Sequence, residues 1–143
     1  MTLWTCIVVA IGGALGTLAR FLVGAWALPI SDKLPWGTII INVVGSFIIG
    51  FAGTLTLSQG KFPLSENARL FIMVGFCGGF TTFSAFSLQT FDLMRAGAML
   101  RAATNIGISV IACLIAVWIG HVMAAQLNGG AREVAQVALE EEA

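Results

Sequence analysis

The segment Gly75-Phe-Cys-Gly-Gly-Phe-Thr-Thr-Phe-Ser-Ala-Phe-Ser87 crowds three glycines, four phenylalanines and four hydroxyl side chains into an uncharged run long enough to cross a bilayer. In hydrocarbon each unpaired backbone group costs several kcal/mol, so irregular backbone survives only inside protein or along a wet cavity. Gly78-Gly79 followed by Thr81-Thr82 therefore points to a helix broken at membrane depth, whose freed carbonyls or amides hold an ion. The alternative is a kinked but continuous helix packed through its small residues.

Composition sets the elements that must position this segment. The chain has 143 residues, 58% hydrophobic and only 10% charged, where a soluble domain is about 25% charged. Four nearly uncharged stretches, 3–26, 36–58, 70–91 and 102–126, each meet the requirement of roughly 20 apolar residues for a spanning helix. Trp4, Trp26 and Trp36 fall at span ends, where indole rings anchor among headgroups. No Lys or Arg precedes the first span and Arg20 lies within it, which argues against a secretory signal. The expected fold is all-α: one four-helix membrane domain over 1–127, with a polar, acidic tail over 128–143. Cys6, Cys77 and Cys113 sit in three different spans and read as small hydrophobes. His121 has no second ligand near it in sequence, against the three or four that zinc requires. No Ser-His-Asp set, HExxH or phosphate loop is present, so no enzyme is expected.

Loop charges give almost no preferred orientation. Lys61, Arg69 and Arg132 fall on one side of four spans, and Lys33, Arg95 and Arg101 on the other. Without a bias in Lys and Arg, a small protein can insert both ways, and two copies can pair as an antiparallel, dual-topology homodimer, a two-chain analogue of inverted repeats. The alternative is one topology, fixed by folding or by the first helix. Pairs such as Gly12/Gly16, Ser46/Gly50 and Gly75/Gly79 have the small-xxx-small spacing of close helix packing.

Inside the spans the polar residues are neutral and rich in donors. Asn42, Thr81, Thr82, Ser84, Ser87, Asn105 and Ser109 lie at depth, with Asn105 and Ser109 on one helix face. Such groups can replace the water around a small anion without trapping it. Arg20 puts positive charge near one mouth or snorkels to the interface. Phe83 and Phe86 share a face, and their positive ring edges can meet a desolvated anion. No Asp or Glu stands at mid-membrane, where proton-coupled transporters place one.

The glycine-phenylalanine segment resembles the signature of the Fluc/CrcB family of fluoride channels. Gly12-Gly-Ala-Leu-Gly-Thr-Leu-Ala-Arg20 and Gly37-Thr-Ile-Ile-Ile-Asn-Val-Val-Gly45 agree with it, and the likeness covers about residues 5–125. The resemblance implies an antiparallel dimer with two fluoride pores in the bacterial inner membrane, exporting fluoride passively and lowering its cytoplasmic concentration. It implies a structural sodium ion, not transported, on the backbone carbonyls of Gly78 and Thr81, with Gly78 in an unwound conformation. It places Asn42, Phe83 and Phe86 in the pore, Arg20 in the vestibule, hydroxyls of Thr38 and Ser84 near the pore, and Ser109 on the polar side of the fourth helix. Gln89, where many relatives carry Glu, and Ala85, where a hydroxyl is common, depart from the pattern. A dual-topology multidrug exporter is the rival from another class, but it needs the embedded carboxylate this chain lacks. A non-transporting assembly subunit would leave the polar track unexplained.

Overall fold

Apolar runs of this length become helices because a bilayer offers the backbone no other hydrogen-bond partner. The structure, a computed structural model, describes residues 2–57 and 60–130. Helix α1, Leu3–Trp26, starts where the Thr2 hydroxyl accepts from the Thr5 amide and ends at a short 3-10 turn, Leu28–Ile30, built on Pro29. Helix α2 is Trp36–Leu55. Helix α3 covers 66–80: an α-helical turn Glu66–Leu70, a π-helical stretch Phe71–Cys77 and a last turn Gly78–Phe80. Helix α4 is Phe83–Arg95 and α5 is Met99–Leu127.

All four expected spans are present, and the third is the broken one, formed by α3 and α4 together over Glu66–Arg95. The boundaries shift in a way capping explains. The third span begins at Ser65, whose hydroxyl accepts from the Ala68 amide, with Glu66 complementing the positive helix end. It runs on to Arg95, and Gly97 supplies the positive φ of 73° at the turn into α5. Helical bonding continues through charged end residues that an apolar count leaves out. The second span stops at Leu55, while Ser58 lies outside the described residues.

Two seams hold the bundle. Helix α2 packs along α5, and α1 packs along α3. The glycine pairs make the second seam backbone against backbone. A Cβ on Gly12 would stand 2.6 Å from the Phe71 carbonyl oxygen, and one on Gly75 2.9 Å from that of Val9. On Gly79 it would collide with the Gly13 carbonyl, and on Gly50, in the other seam, with that of Val117. Such approach is how helices associate where lipid is as apolar as leucine. Most large apolar side chains consequently face outward, Leu3, Trp26, Phe83 and Leu100 among them. At the far end of α5, Asn128 is buried; its Nδ2 donates to the Thr54 and Leu55 carbonyls (2.8 and 3.2 Å) and its Oδ1 accepts from the Lys61 amide (3.0 Å). The acidic end of the tail lies outside the described residues.

Candidate ion pathway

The break is made of two residues, Thr81 (φ −75°, ψ 158°) and Thr82 (φ −152°, ψ 106°). Thr81 completes the first half-helix: its amide and its hydroxyl both donate to the Cys77 carbonyl at 2.9 Å. Thr82 leaves it. Its amide, which would close a helical bond to Gly78, donates instead to Asn42 Oδ1 at 2.8 Å. Asn42 Nδ2 donates back to the Thr82 carbonyl at 3.1 Å. Both polar groups of the most extended residue are thus paired by one side chain from α2. Arg20 Nη1 reaches the Thr81 carbonyl from α1 at 3.5 Å, and the Thr82 hydroxyl caps α4 by accepting from the Ala85 amide at 3.2 Å.

The unwound position is therefore not Gly78. Gly78 is helical (φ −64°, ψ −37°), and the break falls at Thr81–Thr82, because that is where Asn42 can pair extended backbone. The neighbouring glycines serve proximity: Gly79 lies against Gly13, and Gly45 leaves room for the Thr81 methyl group. The carbonyls of 78–81, the last of α3, lose their helical donors all the same. The negative end of α3 and the positive end of α4 meet at this point.

A cavity of about 440 Å³ opens beside the break, lined by Asn42, Gly78, Thr81, Phe83, Phe86 and Ser109 among others. These predicted residues come together from three of the four spans. The Phe83 and Phe86 rings stand 5.4 Å apart, tilted by 48°. Phe86 is buried, whereas Phe83, at the middle of the third span, is 78% exposed. Thr38 is not in this group. It lines a separate cavity of about 560 Å³ at the loop-one end, with Lys33, Gln89 and Asp92. Gln89 Oε1 is buried there without a partner. Arg20 and Ser84 line neither cavity; Arg20 approaches the break from α1, and Ser84, exposed, sits 3.3 Å from the Thr82 hydroxyl. Ala85 contributes its amide to the cap of α4.

Behind Ser109 runs a buried polar chain that links α5 to α4. Ser109 Oγ donates to Asn105 Oδ1 at 3.4 Å, Asn105 Nδ2 to Thr90 Oγ1 at 2.8 Å, and Thr90 Oγ1 to the Phe86 carbonyl at 2.7 Å. Asn105 has no exposed surface. The spacing of Asn105 and Ser109 announces a shared face, but Thr90, on another helix, carries no local sign of its part. Asn128 and Arg69, which donates to the Thr56 carbonyl at 2.9 Å, were equally unforeseen as ties on the end of α2.

Among the described residues no three His, Cys, Asp or Glu side chains gather to hold a metal. His121 Nδ1 lies 2.9 Å from the Thr54 hydroxyl, and the three cysteines are free thiols.

Known proteins resemble the chain along most of its length. Residues 7–121 match the family described as CrcB-like protein, Camphor Resistance (CrcB). The chain is 65% identical over 142 residues to the fluoride-specific ion channel FluC of Methylobacterium radiotolerans, covering 99% of both chains. It is 58% identical over 144 residues to the protein of the same name from Gluconobacter oxydans, covering all of both. To that of Opitutus terrae it is 51% identical over 121 residues, covering 84% of this chain and 92% of the relative.

Proposed function

The chain belongs to the CrcB-like protein family, and we propose that it is a fluoride-specific ion channel, a multi-pass protein of the bacterial inner membrane that lets fluoride leave the cell. The observation that carries this is the gathering of Asn42, Phe83, Phe86 and Ser109 in one cavity beside a broken helix, in a chain that matches channels of that name along its whole length. Fluoride is a small hydrogen-bond acceptor, and a path for it must offer donors without fixed cations that would trap it. Asn42 Nδ2 has two N–H groups; one is used on Thr82 and the second is available to an ion. The tilted rings add positive edges, and the amino end of α4 adds its dipole. Arg20 adds charge beside the break, and no carboxylate pairs with it among the described residues. Thr38 and Gln89 stand at a mouth. The chain carries an ion and catalyses no reaction.

The working unit is an antiparallel homodimer. Balanced loop charges permit both orientations, and the outward-facing Phe83 at membrane depth calls for a neighbour. Two breaks meeting at the dimer axis suit a structural sodium ion. The donor set fits: the Gly78 and Thr81 carbonyls have lost their helical donors and lie at the negative end of α3, and a carbonyl keeps a second lone pair even where Arg20 approaches it. Those two residues would hold the ion, which when bound would tie the two breaks together by plain electrostatic attraction. A multidrug exporter fits less well, since Glu66 and Asp92 fall at the ends of the third span and leave its centre without a carboxylate.

Fluoride efflux from liposomes holding the purified chain tests the proposal. Release well above that of protein-free vesicles is expected, with chloride retained; equal release from both kinds of vesicle overturns it.

A further inference from the structure

The chain from Ser109 to the Phe86 carbonyl has a direction. A hydroxyl carries one proton, and Ser109 spends its own on Asn105 Oδ1, as Thr90 does on the Phe86 carbonyl. In this arrangement Ser109 shows the 440 Å³ cavity only lone pairs, which repel an anion. The weakest bond of the chain, at 3.4 Å, is the one nearest the cavity.

A second arrangement exists in the same space. The two ends of an asparagine amide have nearly the same shape. Turned by half a revolution, Asn105 donates from Nδ2 to Ser109 and accepts the Thr90 proton at Oδ1. Every polar group of Asn105 stays paired, and the Phe86 carbonyl, inside α4, keeps its helical donor. The Ser109 proton is then free to point into the cavity. An acceptor-only ion interacts better with this second arrangement and so selects it.

We propose that Asn105 and Thr90 are positioning residues that set whether Ser109 presents a proton or a lone pair to the ion path. The proposal rests on the channel reading of this cavity. It assigns work to two side chains that touch no ion themselves, Asn105 being fully buried. It also explains why two neutral polar groups are spent between α4 and α5 where leucine and valine would pack.

Fluoride efflux from liposomes, read with the melting temperature of the detergent-solubilised protein, tests it in Ser109→Ala, Asn105→Leu, Thr90→Val and Thr90→Ser and in the double variants with Ser109→Ala. Ser109→Ala should slow efflux by roughly tenfold, about one hydrogen bond to a charged partner. Asn105→Leu and Thr90→Val should each change it several-fold in the parent and not at all in Ser109→Ala, whereas Thr90→Ser should keep parental flux. Melting shifts, in contrast, should persist in both backgrounds. If Asn105→Leu slows efflux equally with and without Ser109, the two residues act only on the fold and the proposal fails. It fails too if Thr90→Val conducts like the parent. A parent protein that releases no fluoride would instead remove the channel reading itself, and so the two failures are distinct.

Discussion

Among the described residues two asparagines pair main-chain groups left over where a helix ends, one in the middle of a span and one at its edge. Asn42 bonds both polar groups of Thr82 inside the broken span. Asn128 bonds the Thr54 and Leu55 carbonyls and the Lys61 amide where α2 ends. The chemistry is the same, a side-chain amide matched to main-chain amides. What differs is the alternative. Water can replace Asn128 beside a loop bearing Lys61, but nothing replaces Asn42 at depth, where each orphaned group costs several kcal/mol. The same residue type is a convenience at one place and a condition of the fold at the other.

The largest effect should come from Asn42→Leu, which strands the Thr82 amide and carbonyl together. Loss of folded protein in detergent and of all fluoride efflux is expected. Asn42→Asp keeps an acceptor for the Thr82 amide, so it should fold better than Asn42→Leu. Its efflux should nonetheless stay far below the parent's, because a fixed negative charge repels the anion through a low-dielectric medium. A conducting Asn42→Leu would end the distinction between the two staples.

Phe86→Ile comes next and sharpens the contrast by sparing the backbone. It keeps an apolar side chain in a buried place and removes the ring edge that the cavity receives. Efflux should drop about tenfold, near the upper end of what an aromatic contact is worth, with the fold retained in size-exclusion profiles. Phe83→Ile should behave likewise. Parental flux in both variants would remove the rings from the ion path.

Asn128→Ala should be milder. Its three main-chain partners gain water, and Arg69 still holds the Thr56 carbonyl, so a loss of about 1–2 kcal/mol of stability is expected. Thermal melting should move by a few degrees while efflux per folded protein stays within about twofold. A fall in flux matching that of Asn42→Leu would mean that the end of α2 governs the break from a distance.

What could be read from the sequence follows the same division. Spans were legible because hydropathy is a sum over twenty residues and the bilayer enforces helix. The break was legible as a region, since Gly78-Gly79 and Thr81-Thr82 are poor company in a lipid-facing helix. Its residue was not, because the extended backbone sits where Asn42 can pair it, and that partner is 40 residues away in sequence. Thr38 was grouped with the pore through its motif, yet one further turn of α2 separates it from Asn42 and sends it to the mouth cavity. Thr90 and Asn128 were missed for a related reason: a single polar residue names no partner until two helices are brought side by side.

The smallest effect on the single chain should be that of Gly78→Ala. Glycine is expected to be indispensable where backbone unwinds, but Gly78 is helical, and a Cβ there meets nothing within 4 Å. Alanine also favours helix over glycine by up to about 1 kcal/mol. Folding of the single chain should therefore be unchanged or slightly improved, in contrast to Gly79→Ala, whose methyl group runs into the Gly13 carbonyl. The proposed dimer gives this variant a second readout. If the Gly78 carbonyl binds sodium at the axis without close approach of the partner's chain, Gly78→Ala should keep the sodium dependence of dimer stability, measured by subunit exchange at low and high sodium. If the variant folds but its dimer no longer responds to sodium, the space open beside Gly78 in one protomer is filled by the other, and glycine is required there for proximity after all.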